Sequence, residues 1–331
     1  MTVDITIIGL GQIGASIGLA LEEQKELVQR TGHDRDVRVA RQAEKIGAID
    51  RVENNLPKAA RGADLVILSL PIDQIRETLP IIAPNLKQNA VVMDTAPIKE
   101  VVSSWAAEFL PNERHYVGLT PVLNPSYLHQ IDSGIEAARA NLFHGGLITI
   151  VTPPQTSSEA IKLAADLTRL LGASPMFVDP VEMDGLMAAT HLLPQLMAAA
   201  LLNATIDQPG WREGRKVAGR GYAEASGPIV HLDDTAPLRD LSLLNRVNIL
   251  RVLDGAIAAL YAIRNDIDAE DEVSLEKRLE RAHSGREKWW SERQAGDWSG
   301  DGVPSIDLPE PPGVLGQLFG LQRKPKPKNQ K

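Results

Sequence analysis

The sequence predicts an α/β chain: a doubly wound parallel sheet followed by an all-helical domain. Three observations carry this. A β-branched apolar run opens into a glycine-rich turn at residues 3–14, strand and helix patterns alternate as far as residue 179, and only helical patterns follow Pro180. The expected division is 1–179 for the sheet domain and 180–292 for the helical domain. Residues 293–331, rich in Gly, Pro and polar side chains, are expected to form a disordered tail.

The first element is the run Val3 to Ile8, buried on both faces as a parallel strand. It leads into Gly9-Leu10-Gly11-Gln12-Ile13-Gly14, a G-x-G-x-x-G ahead of helical apolar spacing. Gly9 suits the tight turn out of the strand, Gly11 the close approach of backbone to a pyrophosphate, and Gly14 the packing of helix on sheet. Gln12 and Ile13 open the helix, where unpaired N–H groups and the dipole favour an anion.

A second, weaker strand across residues 27–32 ends in Gly32-His33-Asp34-Arg35. Asp34 lies 25 residues past Gly9, where an acid accepts hydrogen bonds from an adenosine ribose diol and repels a 2′-phosphate. This favours NAD; Arg35 beside it keeps NADP possible.

Residues 37–47 read as helix and 63–71 as the clearest later strand. Ligands in such sheets lie beyond the carboxyl ends of the strands, so Ser69, Leu70 and Pro71 are assigned to the cofactor crevice, with Asp94 and Thr95 at the end of the strand 90–94. Residues 72–86 read as a helix interrupted by Pro80, and 98–109 as a helix with Pro97 in its first turn. Strands at 116–121, 147–151 and 174–178 and a helix at 158–171 complete the domain. Beyond Pro180, residues 181–206, 238–265 and 271–290 read as helices. The middle one is apolar on more than one face, which implies burial between domains or in a dimer.

With 331 residues, 43% of them apolar, the chain can build about two domains. A net charge of −8, without basic patches interleaved with aromatics, argues against nucleic acid as a partner. The lack of cysteine removes thiol catalysis, disulfides and cysteine-ligated metal; no metal site is assigned, and a cytoplasmic location is expected. Asp4 and the absence of a basic stretch argue against a signal peptide. The apolar stretch 185–206 carries His191, Pro194, Gln195 and Asn203, so it is read as a buried helix rather than a membrane span.

In the helical domain, Asp184 and His191 are spaced to share a helix face, and a His oriented by an Asp is a workable acid/base pair at neutral pH. The other reading of His191 is a satisfied polar residue in a buried interface. Lys99 either holds a substrate carboxylate or points to solvent. Arg212, Arg215, Lys216 and Arg220 form a basic cluster, either an anion clamp or a solvated loop.

Over residues 3–260 the chain resembles the prephenate and arogenate dehydrogenases of tyrosine biosynthesis. The resemblance lies in the glycine loop through Ser16, Gly32 to Arg35, Ala63 to Pro71, Asp94 to Lys99, Val117 to Pro121, Ser133-Gly134, Asn141 to Phe143, and Asp184 to Gln195. It implies a Rossmann domain with a helical dimerisation domain, a homodimer, NAD or NADP as cofactor, and a small carboxylated substrate. The implied reaction is an oxidative decarboxylation, in which a hydride leaves the hydroxyl-bearing ring carbon, a base takes the hydroxyl proton, carbon dioxide departs and the ring aromatises.

Four positions depart from the family pattern. Thr120 stands where the general-base His of Gly-x-His-Pro is expected, and its hydroxyl hydrogen-bonds but is too weak a base. Pro97 replaces a substrate-orienting Ser, Gln195 replaces the second His of the helix motif, and Gly221 to Gly227 lacks both arginines of the substrate clamp. The catalytic candidates are therefore His191, Asp184 and Thr120. Two other functions stay open: a catalytically inactive dinucleotide-binding sensor or scaffold, and a dehydrogenase of another small carboxylated substrate.

Overall fold

The computed structural model describes residues 2–130, 132–230 and 234–296; the tail expected beyond them lies outside the described residues. Residues 293–295, assigned to that tail by the sequence, form the last turn of a long helix.

An eight-stranded sheet organises the first half. Its strands are β1 (Val3–Ile8), β2 (Val28–His33), β3 (Arg51–Val52), β4 (Leu65–Leu68), β5 (Val91–Asp94), β6 (His115–Pro121), β7 (Leu147–Val151) and β8 (Ser174–Phe177), in the spatial order β3-β2-β1-β4-β5-β6-β7-β8. The order reverses beside β1, so the crevice of a doubly wound sheet opens between the ends of β1 and β4. Helices α1 (Gln12–Ala20), α2 (Val37–Lys45), α3 (Leu56–Ala60), α4 (Ile72–Ile82), α5 (Glu100–Phe109) and α6 (Ser158–Leu170) cover the sheet. Ile7, Ile67 and Met93 build the core on one face, Ile8, Val66 and Val92 the core on the other.

Two expectations are corrected here. The sheet is not wholly parallel, since β7 pairs antiparallel to β6. The described residues of 122–146 between them hold only short 3₁₀ turns, so the chain returns from the edge it left instead of crossing over. Pro97 also precedes α5 rather than sitting in its first turn: the helix begins at Glu100, with Lys99 as its cap.

The helical region contains α7 (Pro180–Met187), a π-helical segment (Ala188–Leu192), α8 (Leu193–Thr205), α9 (Trp211–Val217), α10 (Arg220–Ser226), α11 (Ala236–Leu244), α12 (Arg246–Asp268) and α13 (Glu272–Ala295). The expected helix over 238–265 is two helices, broken at Asn245, whose buried side-chain amide donates to the Asp184 carbonyl at 2.8 Å. The stretch 180–205 is helical and has the length and apolarity of a membrane-crossing segment, yet only 17% of its most apolar window is buried. It is therefore not the buried helix read from sequence. Leu243, Leu244, Val247, Leu250, Ile257 and Leu260 are likewise exposed in the single chain.

Candidate nucleotide and substrate site

The cradle is built by the first βαβ unit. Gly9 has φ +90°, and a Cβ there would collide with the Ser69 carbonyl. Gly11, by contrast, faces open space, with no atom within 4 Å of where a Cβ would stand. No side chain caps α1, so its first N–H groups and positive dipole end face that space. Asp34 accepts a hydrogen bond from the Leu10 N–H at 2.9 Å and another from the Asp36 N–H at 2.9 Å. The carboxylate is thus held at the lip of the glycine loop. Gln12 and Ile13 are partly exposed, and Arg35 is exposed beside Asp34. These residues fit a dinucleotide: an uncapped helix start, an open approach over Gly11 and an oriented acid at the end of β2.

Ser69, Leu70 and Pro71 follow β4 at its carboxyl end, and Thr95 donates to the Ser69 hydroxyl at 3.4 Å. Asp94 is fully buried instead of facing a ligand. Its Oδ1 accepts from Lys99 Nζ at 2.7 Å and from the Ala96 N–H at 2.8 Å, and its Oδ2 accepts from the Tyr116 hydroxyl at 2.6 Å. Lys99, for which the sequence suggested solvent or a substrate carboxylate, is 0% exposed and does neither. Desolvation lowers its pKa against the pull of Asp94, and desolvation beside Asp94 pushes Tyr116 well above the tyrosine range. Sequence reasoning missed this cluster. Gly118 was its one signal: a Cβ there would stand 2.7 Å from Lys99 Cδ.

The substrate-side candidates are not brought together as expected. Asp184 does not orient His191, because its carboxylate caps α5, accepting from the N–H of Lys99 at 2.5 Å and of Glu100 at 3.3 Å. Burial raises its pKa to about 6, against those two backbone bonds. The π-helical turn between the two residues alters the helical register on which the shared-face reading relied. Pro194 supplies a physical reason for that turn, since it lacks the N–H that would continue the ladder. His191 is exposed, and desolvation by the surrounding protein lowers its pKa. Its neighbours Ala188 and Leu192 share a core cluster with Leu68, Ile72, Ala96 and Ile98, near the crevice ends of β4 and β5. The buried Thr120 donates to the Ala96 carbonyl at 3.2 Å. Arg212, Arg215, Lys216 and Arg220 are all exposed on α9 and α10.

Residues 17–176 match the family model described as prephenate dehydrogenase, nucleotide-binding domain. The chain is 26% identical over 326 residues to the prephenate dehydrogenase of Bacillus subtilis, covering 96% of this chain and 84% of that protein. Its nucleotide-binding domain is that of the prephenate dehydrogenase family. A cyclohexadienyl dehydrogenase of Zymomonas mobilis is 26% identical over 272 residues, covering 81% of this chain and 89% of that one. The fold agrees with the prephenate dehydrogenase of A. aeolicus solved with hydroxyphenyl propionate and NAD+, at TM-score 0.77 and 22% identity over 87% of this chain and 98% of that one. It agrees also with Synechocystis arogenate dehydrogenase, at TM-score 0.68 and 22% identity over 86% and 99%.

At 26% identity to both of these relatives the chain is divergent.

Proposed function

We propose that the chain is an NAD-dependent dehydrogenase of a small carboxylated cyclohexadiene, prephenate or arogenate, which it oxidises with loss of carbon dioxide. The observation that carries the reading is the oriented Asp34 beside an open, uncapped glycine loop, in a chain with this nucleotide-binding domain. NAD is favoured over NADP because Asp34 would repel a 2′-phosphate. Bound there, the nicotinamide supplies the hydride acceptor; Gly9, Gly11, Gln12, Ile13 and Gly14 hold the phosphates, and Ser69, Leu70, Pro71 and Thr95 line the ring side.

His191 is the proton acceptor in this reading. Its lowered pKa keeps the imidazole neutral at pH 7, the form able to take a hydroxyl proton. Thr120 contributes a hydrogen bond only. The exposed arginines of α9 and α10 are the candidates for the substrate carboxylate. The exposed apolar residues of α11 and α12, Leu243, Leu244, Val247, Leu250, Ile257 and Leu260, support a homodimer through the helical region.

One observation favours a second reading, a dinucleotide-binding sensor without turnover: the Thr120 hydroxyl is committed to Ala96 and both Asp184 oxygens to α5, leaving His191 without an orienting acid among the described residues. The deciding assay is purified protein with NAD and prephenate, then NADP and arogenate, followed by the absorbance of reduced nicotinamide. Turnover establishes the dehydrogenase. Calorimetric NAD binding without turnover establishes the sensor or another carboxylated substrate.

A further inference from the structure

We propose that Lys99 is a positioning residue for the nicotinamide side of the crevice, acting through Asp94 without touching a ligand. The proposal rests on the dinucleotide reading above. Both oxygens of Asp94 are fixed by three donors, Lys99 Nζ, the Ala96 N–H and the Tyr116 hydroxyl, all buried. That fixes the turn between β5 and α5.

The turn in turn fixes the crevice wall. The Thr95 N–H donates to the Leu68 carbonyl at 3.0 Å and its hydroxyl reaches Ser69, whose own carbonyl abuts Gly9. The Ala96 carbonyl receives the Thr120 hydroxyl at 3.2 Å. The Lys99 N–H then donates to Asp184, so the same residue ties the crevice to α7 of the helical region. β6 is shaped to admit the lysine stem, because a Cβ on Gly118 would meet Lys99 Cδ at 2.7 Å and the Tyr116 hydroxyl at 3.0 Å. A buried ion pair adds little net stability compared with apolar packing, but its directional bonds select one arrangement of the groups it joins. Here those groups are the Thr95 and Thr120 hydroxyls on either side of the Asp94–Ala96 turn.

The test separates the two halves of the nucleotide. ADP-ribose reads the glycine loop and Asp34, while NADH adds the ring, whose fluorescence reports its surroundings. For Lys99→Met the expected result is an NADH affinity about tenfold weaker, with ADP-ribose affinity within about twofold of wild type. Emission of the bound NADH is expected to move toward that of free NADH. Should Lys99→Met fail to fold, Lys99→Met/Asp94→Asn removes both buried charges. Tyr116→Phe, which deletes one donor to Asp94 with little change of shape, is expected to give the same split on a smaller scale. Unchanged affinities and emission overturn the proposal, as does a parallel fall of both affinities, which marks a merely structural role. A wild-type chain that binds neither ligand overturns the dinucleotide reading itself. Wild-type binding with unaltered variants overturns only the role of Lys99.

Discussion

Asp34 and Leu10 are joined by a 2.9 Å hydrogen bond from the Leu10 N–H to the Asp34 carboxylate, which couples the end of β2 to the glycine loop. One side chain therefore both shapes the loop and presents an acid to whatever the loop holds.

Asp34→Ser is expected to weaken NAD binding by about tenfold and to narrow the preference over NADP, because the ribose acceptor and the anion repulsion both go. Losing the bond to Leu10 costs about 1–2 kcal/mol of stability. Calorimetry with both nucleotides checks the first expectation and a thermal melt the second.

His191→Ala is expected to lower kcat/KM on the turned-over substrate by about 10²–10⁴-fold. Desolvation holds the His191 pKa below 6.5, so the neutral base is already present at pH 7 and the wild-type rate rises with pH only below that value. The pH profile of kcat/KM should show one acidic limb, and the variant should lack it.

Asp184 ties stability to pH in the opposite sense from most carboxylates. Its folded pKa, raised from 3.8 to about 6, means the native state binds the proton more tightly than the unfolded chain. This contribution is fully present below about pH 4 and is lost as pH rises through 6. Across that window it amounts to about 2–3 kcal/mol at most. Urea titrations between pH 4 and 7 on wild type and Asp184→Asn should differ in slope, with the variant flatter.

Thr120→His is expected to raise kcat/KM on prephenate, since it places an imidazole where the resemblance to these dehydrogenases implies a general base. Thr120 is 4% exposed, so the larger ring costs about 1–3 kcal/mol in overpacking. Steady-state kinetics alongside a melt separates gain of base from loss of stability.

Leu260→Glu is expected to convert the proposed dimer to monomer without loss of helix. Leu260 is 54% exposed in the single chain, where a carboxylate costs nothing, but it would be buried unpaired in a helical interface. Sedimentation equilibrium and circular dichroism together read the two effects.

The sequence by itself determined the parallel core of the sheet, the glycine loop, the acid at the end of β2 and the change to helices after Pro180. Each is a local pattern: a continuous apolar run, a turn that only glycine permits, or helical spacing. Tertiary structure alone decided the rest. The direction of β7 depends on how the 122–146 loop returns, and an apolar run reads alike either way. The helix break at Asn245 depends on a bond to Asp184, distant in sequence. Lys99 looked like a surface lysine because charge alone favours water; only the facing Asp94 and the space left by Gly118 make its burial affordable in free energy. Asp184 and His191 were spaced for one helix face, and the π-helical turn beside Pro194, with the bare N–H groups of α5, assigned the Asp to a different partner. Chemistry confined to one stretch of chain is written in its spacing, whereas contacts between stretches arise only when the packed core brings their donors and acceptors within 3 Å or so of each other.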